Sequence, residues 1–189
     1  MRRLDDVKLG RFISLVLRHK PETIGIILDK NGWADVKDLI EKIKLSERYI
    51  DMEILERIVR ENNKKRYSFN EDKTKIRASQ GHSIEVELNL KEMTPPEILY
   101  HGTAAKFLES IKEKGILKRN RQYVHLSSDI ETAKNVGQRH GEPVILRIDT
   151  IGLKKIGHKF YLSENKVWLC DDIPSEYILW EKLSLSEKI

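Results

Sequence analysis

Apolar residues Leu4, Val7, Phe12, Ile13, Val16 and Leu17 recur at helical spacing and stop where Pro21 forbids continuation, so the pattern predicts a first helix ending near His19. Two further helical stretches follow. In "ADVKDLIEKI" Asp35 can cap a helix that buries Val36, Leu39, Ile40 and Ile43, and "SERYIDMEILERIVREN" buries Ile50, Ile54, Leu55, Ile58 and Val59. The period then changes from helix to strand. "KRYSF" and "KIRAS" flank the polar turn "NEDKT", with Tyr67 and Phe69 on the face opposite Arg66 and Ser68. Three helices and a β-hairpin predict a winged-helix-like unit.

A seam follows in "QGHSIEVELNLKEMTPPEI", which holds a candidate short strand, Ile84 to Leu88, and then Pro95-Pro96, a pair that does not fit inside an element. Beyond it, "EILYH" reads as a strand, "AAKFLESIKEKG" as a helix closed by Gly115, "YVHLS" as a strand, and "SDIETAKNVGQ" as a helix capped by Ser127 or Ser128. Strands dominate the remainder: "PVILRID", "FYLSE", "KVWLC" and "YILWEKL" are short and rich in β-branched and aromatic residues. The expected class is α+β, with a winged-helix-like lobe over residues 1–92, its linker starting at about 80, and a mainly antiparallel sheet domain over 93–189.

Composition narrows the function classes. The 189 residues are 39% hydrophobic, enough for a core in one domain or two, and no apolar run approaches the roughly 18 to 20 residues of a membrane span, so neither signal peptide nor anchor is visible. A cytoplasmic location is expected. The single cysteine, Cys170, excludes an internal disulfide and a cysteine-built zinc site, and six scattered histidines without an HxxxH pair argue against a metal. The charge is unevenly distributed. Residues 1 to 80 hold 19 Lys/Arg against 14 Asp/Glu, whereas residues 81 to 189 hold 16 of each. Such asymmetry points the first lobe at a polyanion, nucleic acid above all, though a lysine-rich solvated surface reads the same way on charge alone.

Four places combine charged or reactive side chains with backbone suited to a ligand. Arg18 and His19 end the first helix, where cations also gain about 0.3 to 1 kcal/mol from the macrodipole without any ligand. Arg66, after Lys64 and Lys65 on the hairpin, suits a phosphate contact. In "LYHGTA", His101 closes a strand and Gly102 lets backbone approach a ligand before a helix begins. In "YVHLSSDIETAKNVGQRHGEPV", His125 sits on a strand, and Arg139 and His140 again stand at a helix end before Gly141.

"SLVLRHKPETIGIILDKNGWADVKDLI", "KKRYSF", "IRASQGHSIEV", "LYHGTAAKFLESIKEKGI", "RQYVHLSSDIETAKNVGQRHGEPVIL" and "VWLCDDIPSEYI" together resemble, in order, the successive motifs of the RNA 2′-phosphotransferase family. The resemblance covers nearly the whole chain. It implies a winged helix followed by an ADP-ribosyltransferase-type domain, and an enzyme that removes an internal 2′-phosphate, of the kind left at a tRNA splice junction, with NAD⁺ as acceptor. Two steps are implied: formation of an ADP-ribosylated RNA with loss of nicotinamide, then attack of the ribose 2″-hydroxyl on the phosphorus to give 2′-OH RNA and ADP-ribose 1″,2″-cyclic phosphate. By the same resemblance Arg18, His19 and Arg66 form the 2′-phosphate pocket and, with Arg139, the catalytic set. His101, Gly102, Thr103, His125 and Ser127 hold NAD⁺, and His82 lines the RNA site. Two positions depart from the family pattern, Cys170 in place of threonine and Lys65 in place of glutamine. The "VWLC" segment is apolar where related transferases carry glutamate, in keeping with a nucleophile that is already an anion.

Two rival classes share parts of this pattern. A winged-helix DNA-binding regulator with a small-molecule sensing domain would place "DMEILERIVREN" in a major groove, but that segment carries three glutamates and an aspartate against two arginines. An ADP-ribosyltransferase acting on terminal phosphates of nucleic acid would share the first step. A monomer is expected, since no heptad pattern is present.

Overall fold

The computed structural model describes residues 2–180, with side chains from Asp5 onward. The chain separates into two compact units on either side of the Asn89–Leu90 bond.

In the first unit, helix α1 (Arg2–Arg18) buries Leu9, Ile13, Val16 and Leu17 and runs into a 3-10 turn at Pro21–Thr23, as the proline dictates. Asp35 ends strand β1 (Trp33–Asp35) and at once caps α2 (Val36–Leu45), its carboxylate accepting from the Asp38 N–H at 2.9 Å. Helix α3 (Met52–Arg60) is capped in the same way by Asp51, which accepts from the Ile54 N–H at 2.8 Å. Helix therefore begins only at Met52, and "SERYI" is not part of it, although Ile50 is fully buried. Arg57 on α3 holds Asp6 on α1 with two N–H groups at 2.8 and 3.0 Å. The hairpin forms as expected from β2 (Tyr67–Phe69) and β3 (Lys75–Ala78), and β1 joins the far side of β3 in an antiparallel sheet of order β1-β3-β2. The strand expected at Ile84–Leu88 is absent: this stretch is held by single contacts, Glu87 N–H to Lys30 O and Asn31 Nδ2 to Glu87 O, while Val86 and Leu88 are buried.

In the second unit, β4 (Ile98–Ala104) pairs antiparallel with β6 (Pro143–Asp149) along its whole length, from Ile98↔Asp149 to Ala104↔Pro143. A second antiparallel sheet has the order β5 (Val124–Leu126), β8 (Trp168–Cys170), β7 (Tyr161–Leu162). Tyr100 and Ser127 exchange two backbone hydrogen bonds of 2.8 Å, which joins β4 to the end of β5. Helices α4 (Leu108–Lys114), α5 (Ile130–Gly137) and α6 (Thr150–Lys155) complete the unit around a core that includes Leu99, Leu126, Leu146, Ile148, Phe160 and Cys170. Mixed helix and antiparallel sheet is thus the class of the chain, as expected.

Several local expectations change. The cap of α5 is Asp129, whose carboxylate accepts from the Thr132 N–H at 2.7 Å, rather than Ser127 or Ser128. "YILWEKL" forms no strand in its described part: a 3-10 turn at Ser175–Tyr177 takes in its first residue, and Ile178 makes one bridge, to Ile148. Residues 181–183 of that segment lie outside the described residues.

Candidate functional site

The first unit gathers Arg18, His19, Arg66 and His82. Where α1 ends, the Arg18 carbonyl accepts from the Ser83 N–H at 2.9 Å, and the Ser83 hydroxyl lies 2.9 Å from His19 Nδ1. One segment of the seam is therefore stitched to the helix terminus. Arg18 Nη2 donates to the Arg66 carbonyl at 3.2 Å, and the same carbonyl accepts from the Ser79 N–H at 2.9 Å. Beneath them Tyr67 donates to the Gly10 carbonyl and lies 2.5 Å from the Ser14 hydroxyl; burial is the main cause that raises its pKa, against a lowering by Ser14, Arg18 and Arg66. His82 is 1% exposed, and neither of its ring nitrogens has a hydrogen-bond partner among the described residues. Burial first, then the charges of Arg18, His19 and Arg77, lower its pKa from 6.5 to about 4. Arg77 was not singled out from sequence. Its guanidinium stacks over the Trp33 ring, 4.5 Å from the centroid, and it pairs in register with Ser68. The period-2 pattern of "KIRAS" placed Arg77 on a strand, but nothing in it said which cations would share its surroundings.

This concentration of positive charge at a helix C-terminus matters for what can bind. The helix dipole there repels an anion, so a phosphate is held only if side chains bring the charge themselves. Guanidinium groups do so with geometry matched to phosphate oxygens.

The second unit gathers His101, Gly102, Thr103, His125, Ser127 and Arg139. His101 Nδ1 lies 3.1 Å from the His125 carbonyl on the neighbouring strand. A carbonyl only accepts, so Nδ1 carries the proton and Nε2 is an acceptor. Burial is the largest cause of a lowered His101 pKa, opposed by that hydrogen bond and reinforced by Arg121. The imidazole is therefore neutral near pH 7. Arg139 is exposed, on the 3-10 turn Gln138–His140 that extends α5.

Gly102 departs from expectation. The strand does not end at His101 but continues through Ala104, and a Cβ at Gly102 would stand 1.7 Å from the Ala133 carbonyl oxygen of α5. Gly137 is equally tight, its Cβ position lying 2.5 Å from the Thr103 oxygen. These glycines serve the approach of α5 to β4, which in turn positions Arg139 at the end of α5.

Arg121 is the second residue that sequence reading missed. Its Nη1 lies 2.8 Å from His125 Nδ1, an i,i+4 relation across a loop and a strand that has no periodic signature. Among the described residues no group of three or more His, Cys, Asp or Glu could hold a metal ion, and no helix is long and apolar enough to cross a membrane.

Comparison with known proteins adds a direct finding. Residues 4–172 match the family model "RNA 2'-phosphotransferase, Tpt1 / KptA family". A protein of Fusobacterium nucleatum named "Probable RNA 2'-phosphotransferase" is 73% identical over 175 residues, covering 92% of this chain and 98% of the relative. Relatives of the same name from Flavobacterium johnsoniae and Hahella chejuensis are 58% and 49% identical, over 90% and 89% of this chain and 93% and 91% of theirs.

Proposed function

The chain belongs to the Tpt1/KptA family of RNA 2′-phosphotransferases, and from that premise we propose that it removes an internal 2′-phosphate from tRNA-like RNA with NAD⁺ as co-substrate, through an ADP-ribosylated RNA intermediate. The products are 2′-OH RNA, ADP-ribose 1″,2″-cyclic phosphate and nicotinamide. The domain reading belongs to the same proposal: a winged-helix RNA-binding lobe over residues 1–92 and an ADP-ribosyltransferase-like NAD domain over 93–189.

The observation that carries the reading is the tie between Arg18, His19 and Arg66, made through Ser83 and the Arg66 carbonyl at the end of α1. A 2′-phosphate is a dianion, and bringing it to a dinucleotide diphosphate sets like charges together. Permanently protonated guanidinium groups offset that repulsion and orient the phosphate oxygens. His19 can donate to the same phosphate, and His82 lines the RNA site beside it. His82 is neutral at pH 7, so its contribution is shape and hydrogen bonding rather than charge.

The donors and acceptors of the second unit fit a dinucleotide. His101 Nε2 offers an acceptor to a ribose hydroxyl, Thr103 and Ser127 add hydroxyl groups, and Arg139 adds a cation for phosphoryl oxygens. NAD⁺ supplies an anomeric carbon whose leaving group departs neutral. No general acid is then needed for departure, and the protein's part is positioning and electrostatic stabilisation. In the second step charge shifts on the phosphoryl oxygens, and Arg139 plays the part of an arginine finger, for which a gain of about 10³ to 10⁵ in rate is typical.

The test is incubation with NAD⁺ and an oligoribonucleotide carrying one internal 2′-phosphate, in EDTA, following nicotinamide and 2′-phosphate together. The RNA 2′-phosphate should be lost and nicotinamide released in equal amounts. Arg18→Ala should block formation of the ADP-ribosylated RNA, whereas Arg139→Ala should let it accumulate. A 2′-phosphate that persists under every condition would sink the proposal, and equal blockage of both variants before nicotinamide release would remove Arg139 from the second step.

A further inference from the structure

The proposed phosphate pocket lies at the C-terminal end of α1, and a second concave surface opens farther back along the same helix. It is a groove of about 890 Å³ between α1, α3 and the loop that joins α2 to α3, and its apolar lining includes Leu9, Phe12, Leu15 and Ile54. That volume lies within the range of roughly 300 to 1,000 Å³ common among ligand sites. The proposed reaction makes no use of it.

Two side chains on the rim of the groove are held in place. Arg48 Nη1 donates to the Ser46 carbonyl and to the Ser46 hydroxyl, both at 2.9 Å, and that hydroxyl donates in turn to the Ile43 carbonyl at 2.7 Å. The Arg48 guanidinium rests over the Phe12 ring, 3.8 Å from the centroid. Arg48 is otherwise exposed, so the face turned away from Phe12 is open to a second planar group. Tyr49 is 79% exposed, yet its hydroxyl donates to Asp51 Oδ2 at 3.3 Å, while Oδ1 of the same carboxylate caps α3 through the Ile54 N–H. A guanidinium plane and a phenol ring, both oriented in advance, are surfaces on which unpaired bases stack.

The charges of the groove select an anionic chain. Among the described residues no carboxylate forms an ion pair with Lys8, Arg11 or Arg48. The acids are engaged elsewhere: Asp6 is held by Arg57, whose charge Glu53 also faces, and Asp51 caps α3. Asp5 and Asp6 stand on the first turns of α1, and the unpaired cations follow them toward the other end of the helix. Arg11, Leu15 and Arg18 are spaced i, i+4, i+7 and share one face of α1, with about 10 Å of helix between the two arginines. The groove is thus continuous with the cations proposed to hold the 2′-phosphate.

We propose that this groove binds nucleotides of the RNA strand adjoining the 2′-phosphate, with bases stacked on Arg48 and Tyr49 and a backbone phosphate on Arg11. The inference deepens the reading of Arg18, His19 and Arg66 as a phosphate pocket and rests on it for the path of the strand; the stacking surface stands without it. An amphipathic peptide rich in acidic residues would meet the same cations, but it has no use for two open planar groups. Loss of one stacked base corresponds to about a tenfold change in affinity.

The experiment is calorimetric titration of the full chain, without NAD⁺, with two RNAs: a dinucleotide carrying the 2′-phosphate at its one linkage, and an oligoribonucleotide of about ten nucleotides carrying it internally. Arg48→Ala and Tyr49→Ala should each weaken the longer RNA about tenfold and the dinucleotide less than about twofold, and Tyr49→Phe, which keeps the ring, should bind as the unaltered protein does. Arg11→Ala should lower the slope of log affinity against log salt for the longer RNA by about 0.7. Equal losses for both RNAs, or none for either, would overturn the proposal. So would a glutamate-rich peptide that binds in an Arg48-dependent way while the longer RNA is unaffected, since the groove would then be a peptide site. A 2′-phosphate that adds nothing to the affinity of either RNA, with the Arg48 and Tyr49 losses intact, would refute the phosphate pocket and leave the stacking groove standing.

Discussion

His82 occupies a position that costs stability: it is 1% exposed, has no hydrogen-bond partner for either ring nitrogen among the described residues, and faces the cations Arg18, His19 and Arg77. Its folded pKa of about 4 lies below the value of 6.5 for an unhindered histidine. Between those values the unfolded chain binds a proton that the folded chain refuses, so stability is complete above pH 6.5 and falls as the pH drops toward 4. The loss corresponds to roughly 3 kcal/mol from this residue. Denaturant titrations at pH 7 and pH 4.5 should show it, and His82→Gln should flatten the dependence; an unaltered pH dependence in that variant would assign it elsewhere. At this scale the sequence was partly legible. Arg18, His19 and Arg66 stand out as cations at element ends, whereas the burial of His82 and the presence of Arg77 and Arg121 follow from chain segments far apart in sequence.

The element scale is where glycine makes its largest difference. Helix α5 rests on β4 with the Ala133 carbonyl against Gly102, so Gly102→Ala forces the helix off the strand. A destabilisation of about 3 kcal/mol or more is expected, together with loss of activity through displacement of Arg139. Gly10 on α1 is the control: its added Cβ would meet Ile58 at 3.6 Å, an ordinary contact, and Gly10→Ala should be neutral or stabilise by about 0.5 to 1 kcal/mol through helix propensity. Thermal or denaturant unfolding of both variants measures the difference, and equal stabilities would refute the packing role of Gly102. Capping chemistry made α2 readable, because Asp35 stands immediately before an apolar period. The short strand β1 was not readable, since Trp33–Asp35 has too few residues to show alternation and exists only because β3 is there to pair with it. Ser127 and Ser128 carry the right chemistry for a cap, but the turn geometry selects Asp129.

For the whole molecule, the positive excess lies in residues 1–80 while the remainder is balanced. Binding of a 2′-phosphorylated RNA should therefore weaken with salt; for about three phosphates contacted, the slope of log affinity against log salt should be about −2. An RNA lacking the 2′-phosphate should bind more weakly and with a shallower slope. A salt-independent affinity would contradict the phosphate pocket proposed at Arg18, His19 and Arg66. The sequence by itself determined the class, α+β, and the family, because periodicity, caps and ordered motifs are local properties written in contiguous residues. What only the tertiary structure decided is which side chains meet: Ser83 on His19, Arg18 on the Arg66 carbonyl, Arg121 on His125, and α5 on Gly102. The physical reason is that hydrogen-bond partners, tautomers and burial depend on distances of a few ångströms between distant segments, and hydrophobic periodicity carries no information about those distances.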